Sequence, residues 1–429
     1  MDILLLMPHP NPRRGLFARF NYPSLTLQQI AAITPKEHKV RIIDERYEPI
    51  DFNKHYDVVG ISCLTYNSIR GYEVADIFRS KGSKVVFGGY HASLLPEEAK
   101  EHADAVVIGE AELTWPRVLK DIENGCLQSF YKPERLVEPW EIPPARHDIG
   151  CYHPFTEAMQ ASRGCPTGCE FCAMQIVEGP RFRGRPVDHV VSEMKVIKSK
   201  TIFFADASLT INPSYTKSLF KLVKKEVNKS FECFGNINVL SRDDELLCLA
   251  QEAGVSTWYV GIESISQENI NAAGKTTNKV EDYGKAIRKI KDHGMMVTGF
   301  FMFGFDHDTI DSFDATLKAI YEWGLDEVSF SIVTPYPGTR LYQRLEREGR
   351  ILCRDWSRYN EGNLNFRLEG MSSEDLMEGI RRIALDFYSY PNIIKRTFSD
   401  THGSLYRMLD KFTRNMSIRS FYKYEKLGV

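Results

Sequence analysis

The stretch Arg163-Gly164-Cys165-Pro166-Thr167-Gly168-Cys169-Glu170-Phe171-Cys172 puts three cysteines on one glycine-flanked loop, with three and then two residues between them. It follows a strand-like run, Glu157 to Ser162. Three thiolates on one loop can hold three irons of a cubane iron–sulfur cluster. Full ligation of such a cluster takes four cysteines, so one iron stays open to a small molecule. That is a reactive arrangement rather than a structural one. A zinc site is the alternative, and it wants four ligands in Cys or His pairs. No second pair follows, and His153 or His189 would have to serve singly.

Working outward, residues 156–340 alternate strand and helix patterns. Strands are expected at 157–162, 201–205, 233–239, 257–263, 296–303 and 327–335. Six βα units imply a curved parallel sheet, short of the eight units of a closed barrel. The cysteine loop then lies at the carboxyl end of the first strand. Upstream, residues 1–138 alternate in the same way, with strands at 3–7, 40–43, 57–62, 84–89 and 105–109 and helices at 25–33 and 68–80. This is an α/β, doubly wound, Rossmann-like pattern. Ligands bind beyond the carboxyl ends of such strands, here Ser62-Cys63-Leu64-Thr65, Gly88-Gly89-Tyr90-His91 and Gly109-Glu110. Proline-rich residues 139–155 read as a linker, and 341–429 as a small helical extension.

Composition narrows the function. The 429 residues are 43% hydrophobic with a formal charge of −2, which leaves no electrostatic footprint for nucleic acid. The N-terminal apolar run is too short for a secretory signal, and no run approaches transmembrane length. The six cysteines outside the loop are scattered and read as small hydrophobes, consistent with a reducing cytoplasm. The basic, aromatic stretch from Lys411 to Lys426 reads as a solvated amphipathic tail, with membrane-surface contact as the alternative.

The motif Cys165-x-x-x-Cys169-x-Phe171-Cys172, aromatic residue included, resembles that of radical S-adenosylmethionine (SAM) enzymes. The run from Gly88-Gly89 to Gly109-Glu110-Ala111-Glu112 resembles the cobalamin-binding domain ahead of such cores. The resemblance implies a cobalamin-type domain, a partial (β/α)6 radical SAM barrel and a C-terminal helical extension like that of hopanoid and bacteriochlorophyll biosynthesis enzymes. It implies that Cys165, Cys169 and Cys172 hold a [4Fe–4S] cluster whose open iron binds SAM. Glu263, closing the fourth barrel strand, matches the ribose contact, and Lys275 the partner of the SAM carboxylate. Asp206 matches a position near the SAM amino group, and Gly304 ends the strand that supports the adenine. Ser62, Thr65, Gly88 and Gly89 match the slot for the cobalamin nucleotide tail. One departure is the absence of an Asp-x-His-x-x-Gly motif; the first loop reads Pro8-His9-Pro10-Asn11-Pro12-Arg13-Arg14-Gly15.

Asn236 and Asn238, two apart on an expected strand and hence on one face, are candidates for ribose or substrate contacts. His91 reads as a solvated or hydrogen-bonded residue after a turn. The expected activity is SAM cleavage to a 5′-deoxyadenosyl radical and, with cobalamin, C-methylation of a small-molecule or lipid-like substrate. A reducing partner such as flavodoxin or ferredoxin is implied, and no nucleic acid. Oxidative cyclisation or carbon–carbon bond formation without methyl transfer, or a non-catalytic cobalamin/SAM sensor, are the alternatives.

Overall fold

A computed structural model describes residues 1–10, 24–150, 155–398 and 405–424. Most of the first loop (from Asn11), His153 and the last residues of the basic tail lie outside the described residues. The first sheet runs β1 (Asp2–Met7), β2 (Lys39–Asp44), β3 (Val58–Ser62), β4 (Lys84–Gly88), β5 (Ala105–Val107) and β6 (Phe130–Tyr131), all parallel, in the order β2-β1-β3-β4-β5-β6. Continuous apolar strands such as Ile3–Leu6 are buried on both faces, as helices on either side require. The order reverses between β1 and β3, so the ligand-binding crevice of a doubly wound sheet falls at their carboxyl ends. Sequence patterning missed β6, whose two residues are too short for a periodic signal.

The second sheet holds β7 (Thr156–Met159), then, outside it, the antiparallel pair β8 (Ser162–Arg163) and β9 (Arg183–Gly184), then β10 (Thr201–Phe204), β11 (Ser230–Gly235), β12 (Val255–Glu263), β13 (Met296–Phe303) and β14 (Glu327–Ile332). The parallel order is β14-β13-β12-β11-β10-β7, with no pairing between β14 and β7, so the barrel stays open. Its outer face packs under helices through Phe204, Cys233, Trp258, Ile262 and Phe301. Its inner face carries Phe203, Phe234, Tyr259 and Phe300, whose rings touch at centroid distances of 5.4 to 5.9 Å. The phenylalanines among them are only half-buried.

Two expectations fail here for identifiable reasons. The third barrel strand ends at Gly235 rather than continuing to Val239. Asn236 instead caps the helix Ile237–Arg242, its side-chain oxygen accepting from the backbone N–H groups of Asn238 and Val239 at 3.0 and 3.3 Å. Asparagine is among the best N-caps, so Asn236 and Asn238 do not share a strand face. The basic tail is not a solvated surface either. Its described part, Lys411 to Tyr424, lies within the helix Leu405–Tyr424, which packs into the lower end of the open barrel. Lys411 pairs with buried Asp326 at 2.6 Å, and Arg414 bonds Glu327, Glu232 and the Tyr259 hydroxyl at 2.8 to 3.0 Å. Among the described residues no helix is long and apolar enough to cross a membrane.

The two halves meet through buried charge. Glu110 and Glu112, just past β5, bind Arg163 and Arg183 on the β8–β9 hairpin at 2.6 to 3.0 Å. Burial opposes ionisation of Glu112, but the Arg163 guanidinium overcomes it and holds the carboxyl below its ordinary range. In the linker, His147 donates to Glu157 and Glu193, each at 2.9 Å, and Gln28 of the first sheet's helix Leu25–Ile33 reaches the same Glu157 at 3.2 Å.

Candidate functional site

The cysteine loop has no regular structure of its own, so its shape is imposed from outside. Gly164 and Gly168 both take positive φ. A Cβ on Gly164 would overlap the Arg181 carbonyl, so only glycine fits there. Glu170 N–H donates to Ala273 at 2.9 Å, and the Glu170 carbonyl accepts from Leu341 N–H at 2.9 Å. Arg340 donates to the Gly168 carbonyl, and Arg344 to the Glu170 carboxylate at 3.0 Å. Gln175 donates to the Cys165 carbonyl at 2.7 Å. Sequence reasoning passed over these braces, although Glu170 stands inside the motif. Phe171 packs against the main core and anchors the loop from within.

All three thiols are half-buried and unbridged. Burial pushes the Cys169 thiol up to about 12, with Lys275 working the other way and Cys172, Glu263 and Cys165 adding to the rise. Three thiols, one acid and one base therefore share one electrostatic neighbourhood. Lys275 donates to the Glu263 carboxylate and, at 2.8 Å, to the Gly261 carbonyl. A Cβ on Gly261 would overlap both charged heads. Asn278 donates to the same carbonyl at 3.0 Å, and Asn236 donates to Thr277 and Asn278 at 3.0 and 3.1 Å. Asn236 thus steadies the loop that carries Lys275.

Asp206 and Gly304 each have a role within the protein's own packing. The Asp206 side chain is buried and accepts from the backbone N–H groups of Ala161 and Ser162 and from the Ser162 hydroxyl. Burial raises its pKa to about 6, against those three donors. It ties β10 to the turn before the cysteine loop and has little capacity left for an outside ligand. Gly304 has φ of 103° and faces Leu368 and Phe366 of the C-terminal extension, so its freedom serves that packing. Its N–H donates to Asp308 at 2.9 Å.

At the carboxyl edge of the first sheet, Gly89 has φ of 89° and is wedged against Cys63 and the Ser62 hydroxyl. Gly88 is open: a Cβ there would meet nothing nearer than Val107 at 4.0 Å. The Ser62 and Thr65 hydroxyls have no hydrogen-bond partner among the described residues. Free hydroxyls beside an unobstructed glycine suit a bulky polar ligand tail. His91 is buried, its Nε2 beside the Tyr72 hydroxyl at 2.9 Å and Glu98 at 3.3 Å, and Glu98 also accepts from Trp356 of the C-terminal extension at 2.9 Å. Of the two readings of His91, the hydrogen-bonded one holds and the solvated one does not. Tyr90 donates to Glu178 at 2.9 Å, and Glu178 accepts from Gly164 N–H at 3.2 Å. Two hydrogen bonds thus join the Gly-Gly turn to the cysteine loop.

Comparison with known proteins agrees with this layout. Residues 159–320 match the radical SAM superfamily, 18–119 the B12 binding domain, and 339–422 a domain of unknown function (DUF4070). The chain is 30% identical to bacteriochlorophyllide d C-12(1)-methyltransferase of Chlorobaculum tepidum, over 87% of this chain and 84% of that protein. It is 26% identical to hopanoid C-2 methylase of Rhodopseudomonas palustris, over 81% and 68%. Its fold matches TsrM of Kitasatospora setae, a radical SAM methyltransferase solved with cobalamin and a [4Fe–4S] cluster, with a TM-score of 0.72 at 15% identity over 98% and 99% of the two chains. The chain belongs to the radical SAM enzymes that carry a B12-binding domain. As such it takes a [4Fe–4S] cluster, SAM and cobalamin, and the loop thiols, the Glu263–Lys275 pair and the open Gly88 edge fit those three groups.

Proposed function

We propose that this enzyme methylates an unactivated carbon of a largely apolar, polycyclic small molecule. The observation that carries the reading is the convergence of Cys165, Cys169 and Cys172 with Glu263 and Lys275, two hydrogen bonds from the Gly88–Gly89 turn. When bound, the cluster and SAM supply a 5′-deoxyadenosyl radical that removes hydrogen from carbon, and cobalamin supplies the methyl group. The chain's part is holding and aiming. Cys165, Cys169 and Cys172 would ligate three irons. Lys275 would bind the SAM carboxylate, a charge-assisted contact, and Glu263 the ribose hydroxyls. Ser62, Thr65, Gly88 and Gly89 would receive the cobalamin tail. The ion pair of Glu110 and Glu112 with Arg163 and Arg183 holds the two cofactor loci at a fixed separation, which sets the reacting geometry. The aromatic inner wall at Phe203, Phe234 and Phe300 favours an apolar substrate, in keeping with the tetrapyrrole and hopanoid named for the relatives. A low-potential donor such as flavodoxin or ferredoxin would reduce the cluster.

The test is anaerobic reconstitution with iron, sulfide and cobalt quantified. The enzyme is then incubated with SAM, a reductant and either bacteriochlorophyllide d or a hopanoid. Expected are 5′-deoxyadenosine and a product heavier by one methylene. Cys169→Ala should abolish both, and 5′-deoxyadenosine from that variant would sink the assignment. Loss of hydrogen without mass gain would make the enzyme a cyclase instead.

A further inference from the structure

Among the described residues only two other than glycine adopt positive φ, Glu263 and Glu361, each at 63°. A left-handed conformation costs a side-chain-bearing residue roughly 1–2 kcal/mol, and such strain gathers at functional sites. Glu263 belongs to the site described above. Glu361 lies in the C-terminal segment that matches only a domain of unknown function. Its carbonyl accepts from Ile332 N–H at 2.7 Å, which pins it to the carboxyl end of β14, the end of the sheet where the cysteine loop and Lys275 stand. Its side chain is exposed, and its Oε1 accepts from the Tyr336 hydroxyl at 3.1 Å.

The surroundings of this carboxyl are not those of an outer surface. Burial raises its pKa, the Tyr336 hydroxyl partly offsets that, and the charge of Glu263 adds to the rise. Burial also raises the Tyr336 hydroxyl, which senses Tyr66 on the loop leaving β3. The turn Trp356–Arg358 just before Glu361 packs against Thr65–Asn67 at the edge of the first sheet. The carboxyl's electrostatic neighbours reach the SAM pair on one side and, through Tyr336, the Thr65–Tyr66 edge on the other. A substrate must lie between those two places to meet both the radical and the methyl donor.

We propose that Glu361 is a substrate-facing carboxylate supplied by the C-terminal extension, accepting a hydrogen bond from a hydroxyl or N–H group of an otherwise apolar substrate. The proposal rests on the C-methylation reading above. An ionised carboxylate only accepts, through two oxygens with about four lone-pair sites. Tyr336 takes one of them, which leaves Glu361 with capacity to accept from a substrate. An aromatic wall gives contact area but little orientation; a single polar anchor decides which carbon faces the radical.

Three measurements on the full-length, cluster- and cobalamin-loaded enzyme test this. Carbodiimide labelling with glycinamide, read by peptide mass spectrometry, should modify Glu361 both without SAM and with saturating SAM. No modification, or protection by SAM alone, would overturn the proposal. SAM affinity by equilibrium dialysis should stay within twofold in Glu361→Gln and Glu361→Ala; a tenfold loss would make Glu361 a SAM contact instead. With bacteriochlorophyllide d as the probe, KM should rise at least tenfold in Glu361→Ala and less in Glu361→Gln, whose amide oxygen still accepts. The saturated rate should fall as well, because an unanchored substrate presents the wrong carbon more often, and an unchanged KM in both variants refutes the assignment. If the intact enzyme forms 5′-deoxyadenosine but leaves the probe unmethylated, the substrate reading fails on its own, and labelling with SAM affinity decides the place of Glu361.

Discussion

Replacing His147 with Gln tests how the linker is held. The imidazole donates from Nδ1 to Glu157 and from Nε2 to Glu193, each at 2.9 Å, so both nitrogens carry protons and the ring is cationic. Both acids are buried, and Glu193 also holds Arg185 at 2.6 Å. Burial opposes the charge, yet the two carboxylates raise the His147 pKa from 6.5 to about 9. Each unit is worth about 1.4 kcal/mol, so the charged ring contributes about 3 kcal/mol. Because the folded pKa lies above the unfolded one, that stability is complete below pH 6.5 and is lost as pH rises through 9. Glutamine cannot supply a charge or two opposed donors. The variant should therefore melt roughly 6–12 °C lower at pH 6, taking about 2–4 °C per kcal/mol for a unit of 150–250 residues. The assay is thermal unfolding of both proteins from pH 6 to 10, with limited proteolysis reporting cleavage in the linker. The gap should shrink steadily from about pH 6.5 upward and be nearly gone by pH 10. A gap of the same size at pH 6 and pH 10 would refute the charged-imidazole account.

Other perturbations separate further parts of the argument. Arg414→Met leaves Glu232 and Glu327 without their cation, which should cost about 3–5 kcal/mol, while adding Glu232→Gln and Glu327→Gln should recover most of it in a melting assay. Gly164→Ala forces a Cβ onto the Arg181 carbonyl at positive φ; the reconstituted protein should hold less than half the iron of the parent, and full iron content would contradict the steric reading. Glu110→Gln should weaken the docking of the two halves, seen as faster loss of cobalamin on gel filtration with SAM affinity unchanged. Lys275→Met should raise the SAM dissociation constant at least tenfold, roughly 1.4 kcal/mol, without lowering iron content.

Signals carried by neighbours in the chain were legible in the sequence. The helices at 25–33 and 68–80 appear at the expected positions, because buried apolar residues recur along them. The cysteine spacing and the interval from Glu263 to Lys275 are likewise local, and the structure brings that acid and base into contact. Asn236 misled because a strand residue and an N-cap look alike until the chain direction after it is known. The hold on Asp206 was not legible because its partners, Ala161 and Ser162, are 45 and 44 residues away. Glu110 and Glu112 were read as part of a family signature, and only the fold shows that they exist to hold Arg163 and Arg183. Lys411 and Arg414 looked like surface cations because their partners stand near the starts of strands far upstream: Asp326 and Glu232 are 85 and 182 residues away.

That last distance has a consequence for how the protein comes to exist in the cell. Glu327 is synthesised 87 residues before Arg414, and Glu232 182 residues before it. Every barrel strand has therefore left the ribosome while two inward-facing acids still lack their cation. Those two acids meet Arg414 only when the last helix is made and folds back into the barrel. A stop codon placed before residue 405 would thus remove a late-arriving part of the enzyme's interior.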